Sequence, residues 1–530
     1  MFDSSFIHLN TASAFSFKYG TAQPQDLIAR AAEFGAPALA ITDRDSLAGV
    51  IRFVQAAKDS GIAPIVGINL QLDRSRVTLL AQSDGGWRSL CRLMSALRPD
   101  RNPPVLRLST LQSGLENFKF TDYTSNLILL HGSESEVGAL ISKHRQDQAL
   151  QLFNKYRPYF ADSIIECTSH LVAGDGARST IHAARMLGFA RDHDLPAVIT
   201  NAVRMLDAKD GPIADILDSA RKLVPLHPRH VERRNSEAYL KDSAAMRALA
   251  DEISRAAGER NGRALLRTTQ RTAERCILSP NEFGLGGIEL PEPEVVGVNN
   301  YKEMRALLRS RCEAGLNWRY SSSSDLIKAR ARLDDELATV ATLGYESYFL
   351  TVADVADMAR SSGIRVAARG SGAGSLICHL LGISGVDPIR YGLLMERFCS
   401  PLRRALPDID IDVESDRRLE IYDLVFKKYQ HRTATVAMLE TYRARHAIRD
   451  TGAALGMSQS EIDLIAKSLP HVRARNISKA LSSLPELRNL NINTALASTA
   501  IKLAERLDGL PRNLAMHPCA VVLSNNTLPD

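Results

Sequence analysis

The sequence predicts a multidomain α/β protein. Its 530 residues are enough for roughly three or four domains of ordinary size. Short apolar strands alternate with amphipathic helices in the first half, which is typical of repeated β/α units. A weakly patterned stretch with two prolines, IELPEPEVVGVNN (288–300), ends that alternation. It predicts a linker that leads into a mainly helical second half.

The elements of the first half follow from hydrophobic periodicity. Apolar residues recur every three or four positions in AQPQDLIARAAEFG (22–35) and AGVIRFVQAAKDSG (48–61), which predicts two helices. Each is followed by a short apolar stretch: PALAITDRDSL (37–47) predicts a strand and a loop, and APIVGINLQL (63–72) predicts a strand. The same rhythm returns in residues 176–203, where a helix leads into the apolar run PAVIT.

Helical patterns dominate the second half. YKEMRALLRSRCEAGL (301–316) and LIKARARLDDELATVATLG (326–344) both predict helices. A third predicted helix lies in SQSEIDLIAKSL (458–469), where Ser458 and Glu461 have the spacing of a capping box ahead of an apolar run.

Composition excludes several classes of protein. A hydrophobic fraction of 45% and a charged fraction of 24% are those of an ordinary globular chain, and the net charge of +6 permits nucleic-acid binding without demonstrating it. The seven cysteines are widely spaced and form no C-x-x-C motif, which argues against a disulfide framework or a zinc module and favours a reducing cytoplasm. The N-terminus has no signal-peptide pattern, and no apolar run reaches membrane-spanning length. We therefore expect a cytoplasmic protein that is not embedded in a membrane.

The stretch LPDIDIDVESDRR (406–418) places aspartates at every second position, at Asp408, Asp410 and Asp412. In an extended strand these three carboxylates share one face and the intervening apolar residues share the other. Like charges on one face repel one another unless cations lie between them, and a hard divalent metal would serve that purpose. Two interpretations therefore fit this stretch: an edge strand whose aspartates face water, or a metal site.

A glycine-rich loop precedes the acidic strand. In GIRVAARGSGAGSLICHLLG (363–382) an apolar strand leads into a loop and then into an apolar helix. Such a layout aims backbone N–H groups at an anion, although the loop lacks the Gly-Lys-Ser/Thr ending of a Walker A motif. A tight strand-to-helix connection explains the same glycines. Together, a phosphate-binding loop and a metal-binding strand suggest nucleotidyl transfer with two metal ions.

These motifs resemble the active-site region of the bacterial C-family DNA polymerases, the alpha subunit of DNA polymerase III. The resemblance lies in residues 363–418 and extends upstream through LGYESYFLTVADV (343–355). The segment FIHLNTASAFSFKYGTAQPQDLIARAAEFGAPALAITDRD (6–45) is similar to the PHP domain of that family. ETYRARHAIRDTGAALGM (440–457) and LPRNLAMHPCAVVL (510–523) are more like its error-prone branch.

The resemblance implies a fold and a division into domains. The fold is a PHP-type β/α barrel followed by a nucleotidyltransferase palm of the polymerase beta type and a helical thumb. The expected boundaries are residues 1–285 for the PHP domain, 286–430 for the first part of the palm, 431–511 for the thumb, and 512–530 for the start of a returning palm segment.

The resemblance also implies an activity and its substrates. The family is a DNA-directed DNA polymerase that adds deoxynucleotides to a primer 3′ end in replication or repair. The implied partners are primed DNA template, deoxynucleoside triphosphates and other replication or translesion proteins. The implied cofactor is Mg²⁺ in a two-metal site.

Site residues are carried over by position. Asp410 and Asp412 would ligate Mg²⁺, and Asp408, which begins the same motif, is a catalytic candidate with a structural role as the alternative. Arg445 and Arg449, four apart on a predicted helix, are candidates to touch DNA phosphates, and a solvated helix face explains them equally well. Arg397 and Arg403 are weaker phosphate candidates than Arg369. The residues expected to hold the incoming triphosphate are Arg369, Gly370, Ser371, Gly372, Gly374 and Ser375.

The PHP domain departs from the pattern of its family at the metal-binding positions. His8 remains, but Ala12, Arg44, Asn69 and Arg204 stand where metal-binding residues are expected. Alanine cannot bind a divalent metal and a protonated arginine repels it. We therefore expect a degenerate metal site in a structural domain, with His8 serving as a polar residue that has hydrogen-bond partners.

Asp43, like His8, is expected to have hydrogen-bond partners within the protein. A metal-dependent phosphoesterase is an alternative reading of the first domain, and the missing ligands oppose it.

Length is a second departure from the family. Family members run further, and their third catalytic aspartate lies downstream of the segment that Met516-His517-Pro518-Cys519 matches here. We therefore expect a truncated palm in which the two-metal site is incomplete and which does not extend a primer without the downstream sequence. A non-catalytic DNA-binding or interaction protein derived from a polymerase is the alternative.

Overall fold

The computed structural model describes residues 5–97, 104–113, 124–229, 231, 233–286, 290–321, 323–400, 409–483 and 495–525. The chain divides into two compact units. The first comprises residues 1–285 and 439–515, and the second comprises residues 286–438 and 516–528.

A curled mixed sheet forms the frame of the first unit. Its strand order is β1-β2-β3-β5-β6-β7, with β4 paired to β2. Strand β3 runs antiparallel to both β2 and β5, and the other pairs are parallel. The strands are β1 Ala38–Ile41, β2 Ala63–Leu72, β3 Ser75–Ala81, β4 Val105–Leu106, β5 Leu127–His131, β6 Asp162–Thr168 and β7 Ala197–Thr200.

The segment before the first helix brings the two ends of this sheet together. The N–H of Ala40 in β1 donates to the carbonyl of His8 at 2.9 Å, and the N–H of Ala12 donates to the carbonyl of Val203 at 2.8 Å, just after β7. This arrangement agrees with the predicted PHP-type barrel, because both end strands bond to one connecting segment.

Helices cover the outside of the curled sheet. Successive side chains of a strand point to opposite faces of the sheet. In β1, Leu39 and Ile41 pack in a cluster with helical residues such as Phe53, whereas Ala38 and Ala40 pack in an inner apolar cluster. The helices of this part are α1 Pro24–Glu33, α2 Val50–Ser60, α3 Ser83–Leu97, α4 Leu108–Ser113, α5 Glu136–Ser142, α6 Gln146–Tyr156, α7 Thr180–Asp192, α8 Gly211–Lys222, α9 Ser243–Ala256 and α10 Arg263–Cys276.

The second unit is mainly helical and contains one short antiparallel strand pair. The predicted strand, glycine-rich loop and helix are all present. Leu308, Leu333, Phe349 and Ile377 from four different helices meet in its core. Its elements are α11 Tyr301–Arg319, α12 Ser323–Leu343, α13 Glu346–Ser361, β8 Val366–Arg369, α14 Leu376–Leu380, β9 Asp410–Val413 and α15 Arg418–Tyr429.

The returning part of the first unit is a helical group. Ile448 and Ile501 from this group share a buried cluster with Ile216 and Leu217 of α8. Ser458 and Glu461 form the predicted capping box, with both reciprocal hydrogen bonds present. The helices are α16 Ala444–Ala454, α17 Gln459–Ser468, α18 Ile477–Ser483 and α19 Ala495–Arg506. Strands β10 Thr433–Thr441 and β11 Pro511–Leu523, which pair with each other, lie on either side of these helices in the sequence.

None of the helices within the described ranges has both the length and the apolar character needed to cross a lipid bilayer.

Candidate functional site

The acidic strand β9 pairs with β8 in a register that sets the geometry of the site. Arg369 lies opposite Asp410, and Ala367 lies opposite Asp412. Directly opposed residues of an antiparallel pair project to the same side, so Arg369 and both carboxylates share one face. The predicted alternation of acidic and apolar side chains between the two faces of the strand is therefore present over Asp410–Val413.

The two faces of this strand pair have different surroundings. Val366 and Val413 pack against a buried cluster that includes Ile421 and Val425 of α15, which fixes the apolar face. On the other face the side chains of Arg369, Asp410 and Asp412 are 66%, 53% and 60% exposed. The carboxylates are therefore held on a supported strand and remain accessible.

Arg369 is the cation that lies next to both carboxylates. Its Nη2 is 3.8 Å from Oδ2 of Asp410, and its Nε is 3.5 Å from Oδ1 of Asp412. At these distances the guanidinium offsets their mutual repulsion without forming a close bidentate pair. The guanidinium is therefore accessible to an external anion.

The glycine-rich loop Gly370–Gly374 is a short 3₁₀ helix, and two of its glycines are required by the backbone. Gly370 has a φ of +78°, a conformation that side chains disfavour. A Cβ at Gly374 would lie 2.8 Å from the carbonyl oxygen of Leu394. Gly370 and Ser371 are exposed, whereas Gly372 and Gly374 are buried. The accessible part of the loop is therefore its beginning, next to Arg369.

Ser375 faces away from solvent and caps the following helix. Its hydroxyl accepts from the N–H of Cys378 and donates to the buried carboxylate of Glu336 at 3.0 Å. Glu336 also accepts from the N–H groups of Leu376 and Ile377, at 3.0 and 3.1 Å. The first amides of α14, which the sequence suggested for an anion, are therefore engaged by an internal carboxylate.

Glu336 was not predicted as a site residue, yet its hydrogen bonds hold the residues that directly follow the glycine-rich loop. Its partner Arg332 lies one turn earlier on α12, with Nε 2.9 Å from the Glu336 carboxylate. Arg332 also donates to the carbonyl of Gly374 at 2.7 Å. The loop is thus held by α12, and only the i, i+4 spacing of Arg332 and Glu336 in the sequence hinted at a pair.

The donor set for a metal consists of two carboxylates among the described residues. Asp408 and Arg403 lie outside those residues, as does the side chain of Arg397. In the described ranges, no three His, Cys, Asp or Glu side chains come together as a metal cluster. Asp410 and Asp412 nevertheless suit Mg²⁺, which is commonly held by one or two carboxylates and completes its shell with water and substrate phosphates.

The two arginines predicted to touch DNA lie on α16, as expected. Arg445 donates through Nε to the carbonyl of Leu469 at 2.9 Å, and Nη2 of Arg449 is 3.3 Å from Asp463. The neighbouring Arg443 is exposed and lines a pocket together with Arg445 and His446. This end of the helix is therefore basic and open to solvent.

The remaining polar residues of the predicted metal site in the first unit have protein partners. His8 bonds through Nε2 to the carbonyl of Lys241 at 2.8 Å, and burial lowers its pKa to about 4. Asp43 accepts from the hydroxyls of Ser13 and Ser16, each at 2.8 Å. Burial raises the pKa of Asp43 to about 6 although these bonds oppose the rise. Both side chains therefore serve the interior of the fold.

The four substituted positions surround the same end of the curled sheet. Ala12, Arg44 and Asn69 line one cavity, together with Tyr19. Arg204 is buried behind Tyr19, with its guanidinium carbon 4.0 Å from the centre of the ring, and pairs with Asp218 on α8 at 2.9 Å. The expected metal-binding positions therefore now hold apolar, amide and guanidinium groups.

Comparison with known proteins finds one matching family model in each half of the chain. The family model described as the PHP domain matches residues 8–170, and the model described as the bacterial DNA polymerase III alpha NTPase domain matches residues 306–530. These matches confirm the resemblance and the fold class predicted from the sequence.

Curated relatives match along almost the whole chain. The chain is 33% identical to the error-prone DNA polymerase of Symbiobacterium thermophilum over 541 residues, which cover 99% of this chain and 48% of that protein. It is 29% identical to the DNA polymerase III subunit alpha of Xylella fastidiosa over 569 residues, which cover 100% of this chain and 45% of that protein. The chain thus spans about half the length of the curated relatives it matches.

Among solved structures, an amidohydrolase from Chromobacterium violaceum matches with a TM-score of 0.26 and 16% identity. That match covers 38% of this chain and 87% of the other.

Proposed function

We propose that this chain, which matches the PHP and bacterial DNA polymerase III alpha family models and resembles error-prone DNA polymerases along almost its whole length, is part of a DNA-directed DNA polymerase. The reaction is the addition of deoxynucleotides to a primer 3′ end on a DNA template. The observation that carries this proposal is the exposed pair Asp410 and Asp412 on a supported strand, next to Arg369 and the beginning of the glycine-rich loop.

Asp410 and Asp412 would hold divalent metal, with Mg²⁺ as the proposed ion, and Asp408 would assist them. When bound, Mg²⁺ supplies positive charge against the phosphate oxygens of the nucleotide. The chain's own contribution is positional, since β9 presents both carboxylates from one face and α15 packs against the other. The positive charge of Arg369 would reduce the repulsion between the two carboxylates, and its guanidinium would bind a phosphate.

The nucleotide would contact the exposed beginning of the loop, through Arg369, Gly370 and Ser371. Gly372 and Gly374 would shape the loop from within. Ser375 would act indirectly, because its hydroxyl caps α14 and bonds to Glu336.

Duplex DNA would contact the basic end of α16 through its phosphates. Arg449 and Arg445 are the proposed contacts, and the exposed Arg443 supports them. A phosphate would have to replace the ion pair of Arg449 with Asp463, which is an exposed pair of low stability.

We propose the domain boundaries given by the resemblance: PHP domain 1–285, first part of the palm 286–430, thumb 431–511, and returning palm segment 512–530. A cytoplasmic location and cooperation with other replication or translesion proteins belong to the same proposal. The widely spaced cysteines, all seven of them free thiols, support a reducing compartment.

Nucleotide binding tests the role of the loop. We expect a deoxynucleoside triphosphate with Mg²⁺ to raise the melting temperature, because a ligand that binds only the native state stabilises it. Ser371→Trp is expected to abolish the rise, because the indole would cover the exposed beginning of the loop. Differential scanning fluorimetry measures both effects.

Ser361→Trp is the matched control, because Ser361 is an exposed serine on α13 of the same unit. This variant is expected to keep the full nucleotide-dependent rise. A rise of equal size in Ser371→Trp would place the nucleotide elsewhere and would remove the loop from the proposal.

The first domain is not expected to act as a metal-dependent 3′ to 5′ exonuclease. Ala12, Arg44, Asn69 and Arg204 replace residues that would bind the metal, and arginine repels a cation. Incubation of an end-labelled primer with the purified protein in Mn²⁺ or Zn²⁺ should therefore leave its length unchanged. Trimming by the wild type that disappears in His8→Ala would refute this expectation.

A further inference from the structure

Helix α10 carries a row of arginines on its solvent-facing side. Arg263, Arg267 and Arg271, the arginine row, are all exposed and follow one another at intervals of four residues, about one helical turn. The opposite side of the helix is anchored in the fold, because Leu265 packs in one buried cluster of the first unit and Cys276 packs in another. The arginine row therefore lies on the outer face of a helix whose inner face is fixed.

The arginine row keeps its positive charge available. Within the ranges that the structure describes, none of its guanidinium groups takes part in an ion pair or a hydrogen bond. Glu274 is the one acidic residue of the helix, and its carboxylate accepts a hydrogen bond from Gln270 at 3.0 Å. Arg275, the next arginine at the same spacing, does have a partner, since its Nη1 is 2.7 Å from the carboxylate of Asp162. An external anion can thus approach the arginine row without displacing an internal one.

The composition of α10 favours phosphate as that anion. Like charges four residues apart on a helix repel each other, whereas a glutamate at such a position would pair with arginine. The helix contains four arginines, one glutamate and no lysine. Arginine differs from lysine in its planar fork of donors, which matches two oxygens of a phosphate. A series of phosphates would both remove the repulsion within the arginine row and use this fork.

The length of the arginine row fits the backbone of duplex DNA. Arg263 and Arg271 are separated by about 12 Å along the helix axis. One strand of a duplex carries about three or four phosphates over that length, since they are spaced by about 3.4 Å along its axis. Surfaces that bind single strands usually supply aromatic rings for the bases, and α10 has no aromatic residue. The arginine row therefore suits the phosphates of a duplex.

An anionic membrane is another surface that a basic helix can bind. Helices that lie on membranes bury large apolar side chains next to their basic residues. Among the described residues, the exposed large hydrophobic side chains lie on other elements, and α10 carries none of them. This surface therefore favours nucleic acid over a membrane.

We propose that the arginine row of α10 binds the phosphate backbone of duplex DNA without reading its sequence. Contacts to phosphate position a protein on DNA and carry no direct base information. The arginine row lies in the first unit and includes neither a residue of the acidic strand nor the arginines of α16. It is therefore an additional DNA-binding surface, and it does not depend on the polymerase proposal.

The test is binding of the full chain to a fluorescent blunt-ended duplex, followed by anisotropy over a range of potassium chloride concentrations. Replacement of Arg263, Arg267 and Arg271 by glutamine is expected to weaken binding. The slope of the logarithm of the association constant against the logarithm of salt concentration should fall in magnitude by about 2 to 3, because each phosphate contact contributes about 0.9. A duplex of scrambled sequence should give the same slopes.

A charge-matched control separates the arginine row from net charge. Lys58, Lys143 and Arg145 are exposed cations of the same unit that do not form a row, and their replacement by glutamine should leave the slope as in the wild type. The variant that combines Arg445→Gln and Arg449→Gln tests the proposed contacts of α16 in the same assay. Its effect should add to that of the arginine-row variant, because the two sets of contacts are separate.

Three results would overturn the proposal. The first is an arginine-row variant with the affinity and slope of the wild type; a loss of affinity in the α16 variant would then leave the polymerase proposal standing. The second is an equal loss of slope in the arginine-row variant and the charge-matched control, which would reflect net charge alone. The third is an arginine-row variant that keeps DNA binding but loses binding to phosphatidylserine vesicles, which would assign the arginine row to a membrane surface.

Discussion

Primer extension is expected to fall about a thousandfold or more when Asp410 and Asp412 are both replaced by asparagine. The amide keeps the size of each side chain but removes the charge that would hold Mg²⁺. Loss of several kcal/mol of charge stabilisation in the transition state corresponds to such a factor. The measurement is extension of a labelled primer on a template with Mg²⁺ and four deoxynucleotides, by the product of the complete reading frame.

The fold should tolerate this double substitution. Both side chains are more than half exposed, and the apolar face of β9 is untouched. The melting temperature in the absence of nucleotide is therefore expected to change little, so that lost extension cannot be ascribed to unfolding. Asp416→Asn is the matched control, because Asp416 is an exposed carboxylate just beyond the end of the strand.

An unchanged rate in the double variant would have a definite meaning. Asp410 and Asp412 would then be the water-facing residues of an ordinary edge strand, which is the interpretation that alternation alone leaves open. The non-catalytic alternative, a DNA-binding protein derived from a polymerase, would gain support if the wild type bound primed DNA and did not extend it.

Local sequence patterns predicted the elements of the fold well. The stretch APIVGINLQL is strand β2 from its first residue to its last, and the capping box at Ser458 and Glu461 forms with both hydrogen bonds. Strand β9 begins and ends within the predicted acidic stretch. In each case the signal lies in side-chain periodicity or in a cap of four residues, which neighbouring residues determine.

Those local patterns did not predict which distant segments of the chain contact one another. Strand β3 runs antiparallel to both neighbours, and its two-residue connection to β2, Asp73 and Arg74, allows only that direction for the first pair, whereas its pairing with the distant β5 has no local signal. Glu336 caps a helix forty residues away in the sequence. Arg44, Glu134 and Arg178 come from distant segments and meet only in the folded sheet, so the sequence alone did not predict their contacts.

Arg204→Met is expected to lower the free energy of unfolding of the first unit by about 3–5 kcal/mol. Arg204 and Asp218 are each 1% exposed and lie 2.9 Å apart, so that removal of the guanidinium leaves a buried carboxylate short of its main partner. Arg204 also donates to the carbonyl of Tyr19 at 2.9 Å, and that acceptor would lose its bond. Urea denaturation followed by circular dichroism measures the loss.

Two further variants isolate the buried pair. Arg221→Met removes the second cation beside Asp218, but its side chain is 26% exposed, and we expect a loss of about 1 kcal/mol or less. Arg204→Met combined with Asp218→Leu removes both charges, and this variant should recover most of the lost stability because no buried charge remains.

The position of Asp218 connects this prediction to the helical group of the first unit. Asp218 lies on α8, and the adjacent Leu217 and Ile216 pack in one cluster with Ile448 of α16. Where the family resemblance expects a metal-binding histidine, Arg204 thus fixes the helix that supports α16. If Arg204→Met stays within 1 kcal/mol of the wild type, this structural role is wrong, and the loss of the histidine has no compensating function in the fold.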